Sequence, residues 1–166
     1  KMRADLLSII HTDASLARID ISFMTLLRNW FSPSFLVLRP IDWSTPANIL
    51  EKIIAYEAVH EIKSWDDLRS RLAPDDRRCF AFFHPSMEDE PLIFVEVALT
   101  GEIPGQITSV LETERKMLDP NDASCAIFYS ISNCQKGLAG ISFGNFLIKQ
   151  VAQALQSEYP NLKNFL

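Results

Sequence analysis

The sequence predicts an α/β (α+β) fold in which a sheet is flanked by helices and preceded by two N-terminal helices. Three observations carry this expectation. Apolar residues recur at helical spacing near the start, over residues 46–56 and over residues 143–158. Residues 79–83, 92–99 and 126–132 are β-rich runs bounded by turn formers. Three of the five glycines fall in Gln135-Lys136-Gly137-Leu138-Ala139-Gly140-Ile141-Ser142-Phe143-Gly144-Asn145, between the last run and the last helical pattern. With 166 residues, 48% of them hydrophobic, the chain is long enough for one domain with a substantial core and a helical lead-in.

Taken in order, Leu6, Leu7, Ile9 and Ile10 give residues 2–10 a helical stripe. Asp13 is placed to cap a second helix with the stripe Leu16, Ile19, Phe23, Leu26, Leu27 and Trp30, which Pro33 ends. Residues 35–38 read as a first strand stopped by Pro40. Thr45 then offers an N-cap with Pro46 at the first helical position, and Ile49, Leu50, Ile53 and Ile54 form a buried face. Ser64 to Asp67 resembles a capping box and opens a short helix to about Leu72. The runs 79–83 and 92–99 read as a hairpin with a long, acidic, proline-bounded loop between them. Residues 103–111 are expected to form a short helix, and 112–122 an exposed, mobile connection. The last helix buries Phe143, Leu147, Ile148, Val151, Ala152 and Leu155. Residues 161–166 look like the start of another strand.

A net charge of −5 leaves no basic footprint for nucleic acid. No apolar run reaches the length of a membrane span and no signal-peptide layout opens the sequence, so the chain reads as soluble and intracellular. Cys79, Cys125 and Cys134 share no ligand or disulfide spacing, so neither a metal site nor a disulfide framework is expected. Cys79 and Cys125 read as core residues, and Cys134 stands beside the glycine stretch where reactivity is the alternative. His11 reads as a surface or capping residue and His84 as a turn residue.

Glycines at a strand-to-helix join leave backbone amides unobstructed, and a helix start has several such donors without partners. An anion there gains roughly 0.3–1 kcal/mol from the helix dipole. On spacing alone the glycines equally fit a plain turn or close helix packing.

The longer string Phe128-Tyr129-Ser130-Ile131-Ser132, then residues 135–149, closely resembles the malonyl-CoA decarboxylase family. Further matches are Trp30-Phe31-Ser32-Pro33, Glu57-Ala58-Val59-His60, and Glu90-Pro91-Leu92 followed by Val97-Ala98-Leu99-Thr100-Gly101. The resemblance implies a partial GNAT-like mixed sheet. Residues 1–33 would end an N-terminal helical domain, and 34–166 would be the N-terminal part of the catalytic domain, truncated after Leu166. It further implies that Ala139, Gly140, Ile141, Ser142, Phe143, Gly144 and Asn145 contact CoA, with their amides facing its diphosphate. Residues 126–132 would pair with the pantetheine amides. Lys136 and Lys52 are candidate phosphate cations, against solvated alternatives, and His60 a candidate site-lining residue, against a structural hydrogen bond.

The implied reaction converts malonyl-CoA to acetyl-CoA and carbon dioxide in fatty-acid metabolism, with no cofactor and no metal. The family's catalytic serine stands in a Ser-Pro-Ile-Pro-Gly-Phe string just beyond the strand entered at Asn161, and its histidine further on. Neither is within residues 1–166, so no catalytic residue is expected in this chain and its independent activity is not expected. Homo-oligomerisation is implied, as is a bacterial cytoplasmic, mitochondrial or peroxisomal setting. Two alternatives on the same scaffold are an acyl-CoA-dependent acyltransferase and a non-catalytic CoA-binding or assembly module.

Overall fold

The computed structural model describes residues 1–112, 116–141 and 143–166, with the backbone alone at 144 and 145. Two helices lead, α1 (Met2–Ile9) and α2 (Ala14–Trp30), and Asp13 Oδ1 caps α2 by accepting from the Ser15 amide at 2.7 Å. Then follow β1 (Val37–Ile41), α3 (Ala47–Tyr56), α4 (Trp65–Leu72), β2 (Arg77–His84), β3 (Met87–Thr100), α5 (Thr108–Leu111), β4 (Cys125–Asn133), α6 (Gly144–Glu158) and β5 (Asn164–Phe165). The strands stand side by side in chain order, antiparallel except for the parallel β4–β5 pair. A parallel neighbour requires a crossover, and α6 supplies it.

Strand alternation sends Phe80, Phe82, Ile93, Val95 and Val97 to the face covered by α6, where Leu147, Val151 and Leu155 are fully buried. Each of those helix side chains contributes roughly 1.5–3 kcal/mol by leaving water. Cys79, Ala81, Phe83 and Phe94 point to the other face and pack under Ile49, Leu50 and Ile53 of α3 and Leu68 of α4. A bulge in β4 leaves Tyr129 without a register partner between Phe128 and Ser130. It brings Tyr129 and Ser130 to the same face, one beside the His60 ring and the other against Glu57.

Several expected boundaries move. Pro40 lies inside β1 and not beyond it, because β1 is an edge strand and needs no ladder donor there. Pro46, not Thr45, is the N-cap of α3, since Thr45 Oγ1 is taken by the Asp42 amide at 3.0 Å. Ser64 does cap α4, accepting from the Asp67 amide. The β2–β3 turn is only Pro85 and Ser86. The acidic residues Glu88, Asp89 and Glu90 bulge out of β3 between paired Met87 and Pro91, held by Arg39 and Lys52. The helix expected over 103–111 is confined to α5. Ile19, Leu26 and Trp30, expected on the buried stripe of α2, are exposed, and the residue α2 buries is Asp20, paired with Arg3. Part of the expected 112–122 connection, residues 113–115, lies outside the described residues.

Candidate functional site

After β4 the chain makes one 3-10 turn, Lys136–Leu138, and then a tighter reversal before α6. Ala139 has φ −53° and ψ 133°, Gly140 has φ +76°, and the Ile141 amide donates to Leu138 O at 3.0 Å. Those values define a type II turn over residues 138–141, whose third position requires positive φ and therefore favours glycine. Gly140 is thus demanded by backbone geometry. A Cβ at Gly137 would meet the Ala4 backbone nitrogen at 3.7 Å and the Ala4 Cβ at 4.0 Å, both ordinary contacts. Ile141 and Phe143 drop their side chains into the core and anchor the loop on either side of residue 142. Phe143 is the N-cap of α6 and makes no side-chain cap bond, so among the described residues no side chain caps the first-turn amides of α6.

Not all of the cradle expected from 139 to 145 is open. The Ala139 amide donates to Lys136 O at 3.2 Å and the Ile141 amide to Leu138 O, so both are committed inside the loop. Among the described residues the Gly140 amide has no internal acceptor, and Gly140 is exposed. Among the described residues, Gly140 and the start of α6 remain as the donors that could meet an anion. Ser142 and the Asn145 side chain lie outside the described residues, as does any contact of Gly144 beyond its backbone.

An apolar groove of about 290 Å³ runs beside the junction, lined by Ile93, Val95, Ile131, Asn133, Ile141, Phe143, Leu147 and Ile148. It follows the edge of β4 beyond the stretch covered by β5. Of the strand expected to meet pantetheine, residues 126 and 128 are already taken by Leu166, so the edge past the bulge is the accessible part. Its neighbour Ile131 is exposed.

Lys136 is exposed in the turn beside Gly137. Lys52 is engaged elsewhere. Its Nζ donates to Asp89 O at 2.7 Å and pairs with the Glu90 carboxylate. Glu90 also accepts from Tyr56 Oη at 2.9 Å and from Gln135 Nε2 at 3.4 Å, so this network ends one residue from Lys136. Burial works against the Glu90 charge, but the hydrogen bonds from Lys52 and Tyr56 and the Lys52 charge outweigh it and hold the carboxyl below its usual range. His60 sits across the α3 and α4 face, its amide donating to Glu57 Oε1 at 2.8 Å and its carbonyl accepting from Arg71 Nη1 at 2.8 Å. Its ring lies 6.4 Å from that of Tyr129.

Sequence reasoning missed two carboxylates. Glu57 accepts from the Ser130 hydroxyl at 2.8 Å, from the Ser132 hydroxyl at 3.2 Å, and from the amides of Val59 and His60, binding the α3–α4 loop onto β4. Its signal was the two serines at alternate positions of a buried strand, which need polar partners. Glu96 is fully buried on β3 and pairs with Arg71 at 3.3 Å. Burial pushes its carboxyl up to about 7 against the pull of Arg71, and the Tyr129 hydroxyl lies near without completing a hydrogen bond. A lone glutamate inside an apolar strand was the available sign. Cys134 is buried, and burial followed by the charges of Glu90 and Glu57 pushes its thiol up to about 12, which removes the reactive alternative. Among the described residues no three His, Cys, Asp or Glu side chains gather as metal ligands, and no helix is long and apolar enough to cross a membrane.

Fold and junction together define a mixed α/β sheet protein in which a helix start follows a glycine turn beside an apolar strand edge. Residues 34–166 match the model of the malonyl-CoA decarboxylase C-terminal domain. The chain belongs to the malonyl-CoA decarboxylase family. It is 44% identical over 147 residues to the mitochondrial malonyl-CoA decarboxylase of Rattus norvegicus, a match covering 85% of this chain and 29% of that protein. The crystal structure of malonyl-CoA decarboxylase from Rhodopseudomonas palustris superposes with a TM-score of 0.93 at 58% identity, over 99% of this chain and 40% of that one. The Agrobacterium vitis enzyme superposes with a TM-score of 0.93 at 59% identity. The chain therefore spans less than half the length of these relatives.

Proposed function

We propose that this chain is the CoA-holding part of a malonyl-CoA decarboxylase, the lyase that converts malonyl-CoA to acetyl-CoA and carbon dioxide. The observation that carries the reading is the turn at Ala139 and Gly140, which, among the described residues, leaves the Gly140 amide without an internal acceptor four residues before α6, a helix whose N-cap Phe143 makes no side-chain cap bond. Gly140 and the first turn of α6 would donate to the diphosphate, and the β4 edge past the bulge would receive the pantetheine arm along the apolar groove. Lys136 supplies a positive charge at the solvent side. Loss of carbon dioxide leaves an enolate that must be stabilised and then protonated at carbon. The part proposed for this chain is to hold the thioester's nucleotide handle so that the reacting end is positioned for those steps. Self-association belongs to the same reading, supported by the exposed apolar side chains Ile19, Leu26 and Trp30 on α2.

Calorimetric titration with CoA tests the cradle. Gly140→Val is expected to weaken binding at least tenfold, because a β-branched side chain resists the φ of +76° and blocks the approach to the amide. Gly144→Val is expected to weaken it through approach alone. Unchanged affinity in both variants rejects the assignment.

A further inference from the structure

Arg3 lies far from the junction in sequence and against it in space. Its side chain is almost fully buried. Nε donates to Asp20 Oδ1 at 2.6 Å and Nη2 to Asp20 Oδ2 at 3.2 Å, a forked pair that fixes the guanidinium plane. The remaining nitrogen, Nη1, donates to Gly137 O at 2.8 Å and to Ala139 O at 2.7 Å. One side chain thus joins α1, α2 and both turns of the glycine loop.

The second of those carbonyls decides the orientation of the loop. Turns of type I and type II differ chiefly by a flip of their central peptide, here the unit between Ala139 and Gly140. In a trans peptide the carbonyl and the following amide point in opposite directions. Holding Ala139 O inward on Arg3 therefore turns the Gly140 amide outward, to the exposed side of the loop. With the peptide flipped, the carbonyl would face the anion and repel it. A glycine permits either turn, so the choice is made by what grips the carbonyl.

We propose that Arg3 is a positioning residue for CoA: held by Asp20, it selects the type II turn and so aims the Gly140 amide at the diphosphate. The N-terminal helix pair thereby sets the affinity of a loop more than a hundred residues away. This inference rests on the reading of the junction as the CoA cradle.

The test compares CoA with pantetheine, which lacks the diphosphate and nucleotide, by calorimetry on the full-length protein. Removing Arg3 alone strands the buried Asp20 charge and risks misfolding. The primary variant is therefore the double substitution Arg3→Met with Asp20→Leu, which removes the carbonyl grip and leaves no lone charge, and Arg3→Lys accompanies it. A thermal melt monitors folding. The expected result is a roughly ten- to hundredfold loss of CoA affinity in the double variant, the size of one charge-assisted hydrogen bond, with pantetheine affinity unchanged. Arg3→Lys is expected to fall between, because an ammonium cannot hold the forked carboxylate and both carbonyls together. In turnover the loss is expected in KM for malonyl-CoA with kcat retained. Unchanged CoA affinity in the double variant, with Gly140→Val still weakening it, overturns the role of Arg3 and leaves the cradle standing. Parallel loss of CoA and pantetheine affinity overturns it too, since that marks a general effect on the fold. If Gly140→Val and the double variant both bind CoA as the parent does, the cradle itself fails.

Discussion

Replacing Glu96 by glutamine is expected to stabilise this protein at alkaline pH and to leave it unchanged under acid conditions. The carboxyl is fully buried, and burial, only partly offset by Arg71, raises it from an ordinary 4.5 to about 7. The folded protein therefore holds this proton more tightly than the unfolded chain. The associated stability is fully present below about pH 4.5 and is lost as the pH rises through about 7. At about 1.4 kcal/mol per pH unit, the interval amounts to about 3 kcal/mol, set mainly by desolvation. Glutamine keeps the shape and stays neutral, while Arg71 retains Asp67 and the carbonyls of His60 and Glu61. Denaturant titrations of parent and Glu96→Gln at half-unit steps from pH 4.5 to 8.5 read the difference directly. It is expected to be near zero at pH 4.5 and to favour the variant by about 3 kcal/mol at pH 8.5, or roughly 6–12 °C in midpoint for a domain of this size. A difference that is constant with pH, or that favours the parent at pH 8.5, refutes the argument that the buried charge is a net cost.

Glu57→Ala is expected to destabilise by about 1–3 kcal/mol, because Ser130, Ser132 and the amides of Val59 and His60 lose one shared acceptor, and Glu57→Gln by less. Chemical denaturation measures both, and equal stability for Glu57→Ala would show the clamp to be idle. Cys79, Cys125 and Cys134 are all buried, so a thiol reagent at pH 8 is expected to label none of them in the folded protein and all of them in denaturant. Rapid labelling of Cys134 before unfolding would contradict its thiol being pushed up to about 12.

Much of the local order was legible because it is written at short range. Asp13 and Ser64 cap their helices from within three residues, and the apolar periodicity of α3 and α6 places Ile49, Ile53, Leu147 and Val151 in the core. The runs that became β2, β3 and β4 were found with their ends short, because ladder pairing extends β2 and β3 through polar residues that alternation does not flag, whereas the first strand, expected over 35–38, lies at Val37–Ile41 behind a 3-10 turn at Pro33–Phe35. The acidic stretch before Pro91 was read as a loop. It is a bulge held by cations from β1 and α3, which no local pattern announces. The α2 stripe misled for a related reason: its polar member Asp20 is buried because Arg3 needs it, whereas Ile19, Leu26 and Trp30 remain outside.

From the sequence alone came the class of fold, the order of its elements, the glycine junction and the family resemblance, since helix and strand periods, caps and motif strings are properties of neighbouring residues. Tertiary structure alone decided that the Ala139 and Ile141 amides of the junction are committed, that Lys52 is spoken for by Glu90, and that Glu57, Glu96 and Arg3 matter. Each of those outcomes depends on a partner many residues distant. Burial and hydrogen-bond competition act through space, and a chain reveals them only once it has folded.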